Sequence, residues 1–346
     1  MSGQDVDIGV AAAPSSPVAP AAQAAPAAPT ATTLTGALPS LCVWAILLSA
    51  PAWLNYVGGY TALASHVVVM GLVAMALNFL LGFTGVMSFG HAAYFGLGGY
   101  GAAMAIKYFG WGTLPAMALG VLVATLAAAV IGALIARRRG VYFAMVTIAF
   151  GRVFSFIALR WNDVTGGDDG LTGWRRLPIN FGFAKLAIEQ SDKAFYYFAL
   201  AVFVVCVAAM ALLIASPLGR SFIAIRENER RARFLGLAIE SRVWLSFVIS
   251  CFFVSIAGAL YALLDNFIDP RALHYDLSGN FVIMAVMGGM RSFWGPLFGA
   301  AIFVALQDYL SSHTDDWMFM IGLVFVLVVR FFPRGLVGML SRGATA

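Results

Sequence analysis

Residues 85–105 read GVMSFGHAAYFGLGGYGAAMA. Glycine recurs every few positions in an otherwise apolar stretch, and Ser88, His91 and Tyr94 fall three apart. Two physical readings fit. A dense small-residue face lets helices approach closely. Glycine also permits a bent or re-entrant segment, which at membrane depth is tolerated only against protein or a watery cavity. Packing explains the glycines but explains the polar edge less well, because polar groups in lipid are costly unless partnered. On a helix the spacing puts Ser88, His91 and Tyr94 on one face, as candidates for the wall of a pathway.

The membrane setting follows from the whole chain. Of its 346 residues 61% are hydrophobic and 11% charged, and the mean hydropathy is +0.88. A soluble domain is nearer a quarter charged. This chain has too little polar surface to cover itself in water and belongs in a bilayer. The net charge of +5 needs no nucleic acid, since arginines flanking membrane spans account for it. Cys42, Cys206 and Cys251 lie in apolar runs and read as small buried hydrophobes rather than a disulfide framework or metal site.

Residues 1–33, including AAAPSSPVAPAAQAAPAAPTATT, form an Ala/Pro tail without apolar periodicity, expected to be disordered. It lacks the basic stretch and short apolar core of a signal peptide. Residues 34–346 form one transmembrane domain. Its candidate spans are 38–54, 60–82, 88–109, 113–136, 141–160, 194–214, 242–264, 277–290, 295–311 and 316–332. A straight crossing takes about 20 residues, so the shortest runs read as half-helices or tilted pairs. The expectation is an all-α polytopic membrane protein of ten spans, with eight or nine as alternative counts.

Arginines set the orientation. Arg137, Arg138 and Arg139 form one basic break, and Arg220, Arg226, Arg230, Arg231, Arg233 and Arg242 crowd a second. Arg291 marks a third, and Arg330, Arg334 and Arg342 a fourth. Alternating spans put all four on one side, expected to be the cytoplasm together with both termini. The long break 161–193, with Asp163, Asp168, Asp169 and Asp192, then falls outside.

Residues 216–242, SPLGRSFIAIRENERRARFLGLAIESR, are the most charged part of the chain. Ser216 can cap a helix with Pro217 at its first position, and Gly236 is placed to end it. Leu218, Phe222, Ile225, Ala232 and Leu235 form an apolar stripe. Glu227–Arg231 and Glu229–Arg233 are favourable four-residue pairs. An amphipathic helix among lipid headgroups fits this pattern. A protein partner also fits, because interleaved Glu227 and Glu229 give register across an interface. The residues alone leave both readings open.

On the outer side, residues 165–173 read TGGDDGLTG. Glycine and aspartate make turns, so a connecting loop suffices. Docking or gating by Thr165, Gly166, Gly167, Asp168, Asp169 and Gly170 is the functional alternative. Calcium-loop spacing is not met. Arg152 sits inside span 141–160, a further candidate for the pathway, and should face the bundle interior or a cavity with a partner, for which Asp308 and acidic groups at the outer ends are candidates. His66 and Asn78 read as satisfied by neighbouring helices. Asp265, Asp269, His274 and Asp276 read as a solvated rim.

No P-loop and no H-E-x-x-H sequence occurs. Ser88 and His91 do not sit in a G-x-S-x-G frame. The bulk pattern is that of a transporter.

Six stretches in order carry a resemblance. They are ALNFLLGFTGVMSFGHAAYFGLGGYGAA at 76–103, RRRGVYFAMVTIAFGRV at 137–153 and NDVTGGDDGLTG at 162–173. The others are SPLGRSFIAIRENERRARFLG at 216–236, VIMAVMGGMRSFWGPLFGAAI at 282–302 and FFPRGLVGML at 331–340. Together they resemble the permease subunits of branched-chain amino acid ABC importers, and more closely the subunit with a T-G-G-x-[DN]-G outer loop. The resemblance implies a second homologous permease subunit, two cytoplasmic ABC ATPases that use the ATP, and a periplasmic substrate-binding protein. It implies no cofactor on this chain and a bacterial inner-membrane location. It matches the loop 215–241 to an ATPase-coupling region, with Gly219, Arg220, Ala224, Arg226, Glu227 and Asn228 in its best-matched part. Two departures stand out: family members often carry an acidic or amide residue at the position of Arg152, and the Ala/Pro tail is outside the pattern. Relatives carry urea, short amides or other amino acids. The rival classes are an ion-driven carrier, which would show acidic residues in its spans, and an intramembrane serine hydrolase using Ser88 and His91.

Overall fold

A computed structural model of the chain describes residues 37–54, 59–180, 185–186, 191–290, 292–332 and 335. The Ala/Pro tail, Arg291, Arg334 and Arg342 lie outside the described residues.

A helix occupies each of the ten apolar runs. They are α1 (Ala37–Trp53), α2 (Thr61–Asn78), α3 (His91–Phe109), α4 (Thr113–Ile135), α5 (Val141–Arg160), α7 (Asp192–Ala215), α10 (Ile239–Asp265), α11 (Tyr275–Gly288), α12 (Gly295–Ser311) and α13 (Trp317–Phe331). Short helices fill the polar breaks: α6 (Asn162–Thr165), α8 (Pro217–Glu227) and α9 (Glu229–Phe234). Strands β1 (Ile179–Asn180) and β2 (Lys185–Leu186) pair antiparallel in the long outer break. Among the described residues, 5 helices are long and apolar enough to cross a membrane: Thr61–Thr84, Thr113–Ile135, Val141–Arg160, Asp192–Ala215 and Ile239–Asp265. At 1.5 Å per residue α11 spans only about 21 Å, short of a hydrocarbon core of about 30 Å.

Burial ranks the helices. Over an apolar 18-residue window, Thr61–Thr84 is 94% buried and Ile239–Asp265 72% buried, whereas the corresponding windows of Thr113–Ile135 and Val141–Arg160 are each 33% buried. The first two are therefore the axis of the bundle. α3 packs between α10 and α4, and α12 packs along α2. Small residues allow these approaches. A Cβ on Gly258 of α10 would fall onto the carbonyl of Phe95 on α3, so that contact is backbone on side-chain-free backbone.

The opening stretch is broken rather than helical throughout. α2 continues as a π-helical turn, Phe79–Thr84, closed by Gly85 at φ 80°. Residues 85–90 run without regular structure, and α3 begins only at His91. The expected helix from residue 88 is thus shortened, because Gly85 in a left-handed conformation ends the preceding turn. A second break follows α10. Residues 266–274, with a short 3₁₀ turn at Pro270–Leu273, pack against α3 and α5 before α11 starts at Tyr275.

The basic breaks gather at one end. Arg139 reaches Glu229 at 3.3 Å, and Arg226 donates to the carbonyl of Gly82. A Cβ on Gly82 would meet the carbonyl of Met290, and one on Gly335 would meet Gly289. At the other end, Tyr108 donates to the carbonyl of Val164 at 3.0 Å, and Leu171 N–H donates to Ile268 at 2.8 Å. Cys206 and Cys251 are buried, but Cys42 is exposed on α1. The expectation of three buried thiols is corrected there, because α1 lies on the outside of the single chain.

Candidate functional site

The side chains singled out by the sequence fall into three main groups.

The first ties the start of α3 into the axis. His91 is fully buried, as are Ser88 and Tyr94 to within a few per cent. His91 Nδ1 lies 3.0 Å from Ser88 Oγ and Nε2 lies 2.9 Å from Ser250 Oγ. Ser250 Oγ also donates to the carbonyl of Ala76 at 2.6 Å. A hydroxyl has one hydrogen, so Ser250 accepts from His91, Nε2 carries the proton, and Ser88 donates to Nδ1. The result is one directed chain, Ser88 to His91 to Ser250 to Ala76, linking α3, α10 and α2. Tyr94 stacks edge-on with His91 and Phe247. Next to it, Ser278 of α11 accepts from the N–H of Ala92 at 2.8 Å, Thr147 of α5 accepts from Phe89 at 3.2 Å, and Thr84 lies 2.5 Å from Ser246. Ser88 reaches His91 from the irregular segment, not from the helical face that the spacing suggested. In this conformation the three residues are packed between helices.

The second group surrounds Arg152, which is exposed on α5. Its guanidinium donates to His274 Nε2 at 2.6 Å and lies 4.3 Å above the ring of Tyr275. His274 Nδ1 in turn donates to Asp276 at 2.7 Å. Asp308, a candidate partner from the sequence, instead accepts from Tyr60 at 2.8 Å. Asp265 and Asp276 are exposed, as expected of a solvated rim. His274 and Asp276 join Arg152, while Asp265 meets His66 at 3.4 Å, because residues 266–274 fold back against α3 and α5. No metal-ligand group of three occurs among the described residues. Asn78 donates to Ser292 at 3.2 Å, but its Oδ1 is buried without a partner among the described residues. At this end a cavity of about 260 Å³ is lined by Tyr60, His66, Tyr261, Asn280, Gln307 and Asp308 among others. Partial burial, then the hydrogen bond to Asp308, pushes the Tyr60 phenol up to about 12. No sequence signal pointed to this cavity, since its polar groups come from four separate helices and their flanks.

The third group is the charged segment. It folds as two helices, not one. Ser216 caps α8, accepting from Gly219 N–H at 3.3 Å, with Pro217 at the first position. Asn228 breaks the run at φ −159° and caps α9, accepting from Arg231 N–H at 2.9 Å. The break removes the Glu227–Arg231 pair, while Glu229–Arg233 forms at 3.5 Å and Arg233 also meets Glu240 at 2.9 Å. Phe222, Ile225 and Ala232 are buried, and Phe222 packs edge-on to Phe79 at 5.7 Å. Leu235 is 74% exposed and leaves the expected stripe, because α9 turns away after Asn228. Arg220, Glu227 and Asn228 are exposed, whereas Gly219 is buried and Ala224 half-buried.

The outer loop is built by left-handed glycines: Gly166 at φ 79°, Gly167 at 58° and Gly170 at 71°. Thr165 closes the turn with its single hydroxyl hydrogen directed at the carbonyl of Ala158, 2.6 Å away, beside that of Trp161 at 2.8 Å. Asp168 and Asp169 stay exposed.

Residues 59–329 match the family described as branched-chain amino acid transport system / permease component. The chain belongs to that family. This permease is 27% identical to the high-affinity branched-chain amino acid transport system permease protein LivM of Salmonella typhimurium, over 86% of its own length and 75% of the relative's. It has the same identity to LivM of Escherichia coli, over 85% and 74%. It is 23% identical to BraD of Pseudomonas aeruginosa, a high-affinity branched-chain amino acid transport system permease protein, over 77% and 91%. No solved structure matches the permease.

Proposed function

We propose that this chain is the transmembrane permease subunit of an ATP-driven importer for branched-chain or related amino acids in a bacterial inner membrane. The family match over residues 59–329 carries the reading. Ten crossings with both termini in the cytoplasm fit the clustering of the basic breaks at one end, by the positive-inside rule.

The charged segment supports a protein partner at that end. α8 buries one face on the bundle, while Phe234 is 92% exposed and Leu235 is 74% exposed beside exposed Arg230 and Arg231. An apolar tip within a charged rim suits a protein interface. The expected partners are two ABC ATPases here, a second homologous permease beside the bundle, and a periplasmic binding protein on the loop around Asp168 and Asp169. ATP is then hydrolysed on the ATPases, and this chain holds no cofactor. In this mechanism ATP-driven closure moves α8, Arg226 carries the movement to the π-helical turn of the axial helix, and outward access exchanges for inward access. ATP and binding protein must each favour one state, since a ligand with equal affinity for both shifts nothing.

Urea or short amides are the alternative cargo. An ion-driven carrier has less support, because acidic residues are scarce within the spans. A serine hydrolase has least, because His91 is held by two serines with no carboxylate beside it among the described residues. Purification of a tagged chain in mild detergent tests the assembly. Co-purifying P-loop ATPases and a similar permease support it. Recovery of this chain alone, active for uptake in liposomes without ATP, would overturn it.

A further inference from the structure

Arg152 stands where an arginine is hard to place. α5 runs about 30 Å from Val141 to Arg160, and Arg152 lies about 12 Å from its outer end. Arg152 is nevertheless on the outside of the bundle, with Met145, Val153 and Phe156 exposed along the same helix. A cation at that depth faces protein or water, not lipid. Among the described residues no carboxylate lies within ion-pair distance of its guanidinium. Its hydrogen bond goes to a neutral imidazole nitrogen and its face rests on Tyr275. Stack and hydrogen bond hold the plane in place, and the remaining donors of the fork stay available for a planar anion.

The opposite charge is present but set apart. Asp276 reaches the cluster through His274 Nδ1, with one carboxylate oxygen engaged there and its side chain 62% exposed. A cation and an anion held either side of one imidazole, without touching, are complementary to a molecule that carries both charges on one carbon. We propose that Arg152 and Asp276 form a membrane-embedded way station for the zwitterionic head of an α-amino acid. Arg152 takes the carboxylate, Asp276 takes the ammonium, and His274 keeps the two from collapsing onto each other. Val153 and Phe156 offer apolar surface to an aliphatic side chain. Such a site selects against urea and neutral amides, which carry no carboxylate for Arg152 to pair in a low-dielectric setting.

This inference rests on the importer reading, and the experiment separates the two. The tagged chain is purified with its partner subunits, reconstituted in liposomes, and supplied with saturating leucine-loaded binding protein. The readout is leucine imported per ATP hydrolysed, for wild type, R152K, R152Q and D276N. R152Q and D276N should lower that ratio at least about tenfold, with R152K between them and wild type, since loss of a charge-assisted contact is worth a factor of this order. Subunit composition should stay unchanged. An unchanged ratio overturns the site. So does a parallel fall in uptake and ATP hydrolysis, which marks a structural role. So does loss of the second permease from the R152Q complex, which would make Arg152 an interface ion pair. A wild-type complex that hydrolyses ATP yet imports no leucine would sink the importer reading itself, before any variant is compared.

Discussion

The guanidinium of Arg226, on the surface helix α8, donates a hydrogen bond to the carbonyl of Gly82, inside the π-helical turn that ends the most buried helix of the bundle. The last carbonyls of a helix lack intrahelical partners, so the turn presents an acceptor and Arg226 fills it. The stem of Arg226 also lies against Gly85, where a Cβ would approach its Cγ to 2.9 Å. A displacement of α8 therefore reaches the bundle axis through Arg226 as well as through the Phe222–Phe79 contact.

Arg226→Gln is expected to cut binding-protein-stimulated ATP hydrolysis about tenfold or more, since a charge-assisted hydrogen bond is worth about 1.5–3 kcal/mol. Arg226→Lys should keep part of it. Assembly should be intact by size-exclusion chromatography. Full stimulation in Arg226→Gln, at equal subunit stoichiometry, would remove Arg226 from the coupling path.

The Ser88–His91–Ser250–Ala76 chain predicts an order of effects. Ser250→Ala orphans the Nε2 proton of His91 in a fully buried site, and the carbonyl of Ala76 loses its side-chain donor. An orphaned group costs about 1–3 kcal/mol, so a clear drop in detergent melting temperature is expected. Ser88→Ala leaves His91 Nδ1 without its donor and removes only a long 3.4 Å acceptor from Gly90 N–H, and should cost less. Serine-directed fluorophosphonate should not label Ser88, because among the described residues no carboxylate orients His91. Labelling that disappears in Ser88→Ala would revive the hydrolase.

Glycine positions in the bundle are not equivalent. Gly258→Ala places a methyl on the Phe95 carbonyl and should destabilise by about 1–3 kcal/mol, the usual range for overpacking. Gly279→Ala on α11 meets nothing within 4 Å and should be tolerated. Fluorescence-detected thermal melts of the two variants test this. Equal melting would mean that α3 and α10 do not approach as closely as described.

Thiol chemistry reports the packing independently. A membrane-permeant maleimide should label Cys42 quickly in the isolated chain and reach Cys206 and Cys251 only after denaturation. Rapid reaction at Cys251 would mean that α10 and α3 separate readily.

Much of the architecture was readable from the chain alone, because it is local. Apolar runs placed ten helices to within a few residues, since helix formation in lipid depends on the residues of one segment. Ser216 and Pro217 marked the start of α8 for the same reason. Arg137–Arg139 and the 216–242 segment were recognisable as breaks that belong together, because basic residues at span ends obey one rule of charge placement. The glycine spacing of 85–105 announced close helix contacts and a bend.

What the sequence did not contain was any pairing between distant segments. Arg152 meets His274 across 122 positions, and His91 meets Ser250 across 159. Neither distance follows from hydropathy or period. The fold-back of residues 266–274 brought the expected rim against an intramembrane arginine. The Asn228 break redirected α9 and exposed Leu235, which a single continuous helix would have kept in register with the buried stripe. Local propensity decides where helices form. Only packing decides which face each one buries, and so which polar groups meet.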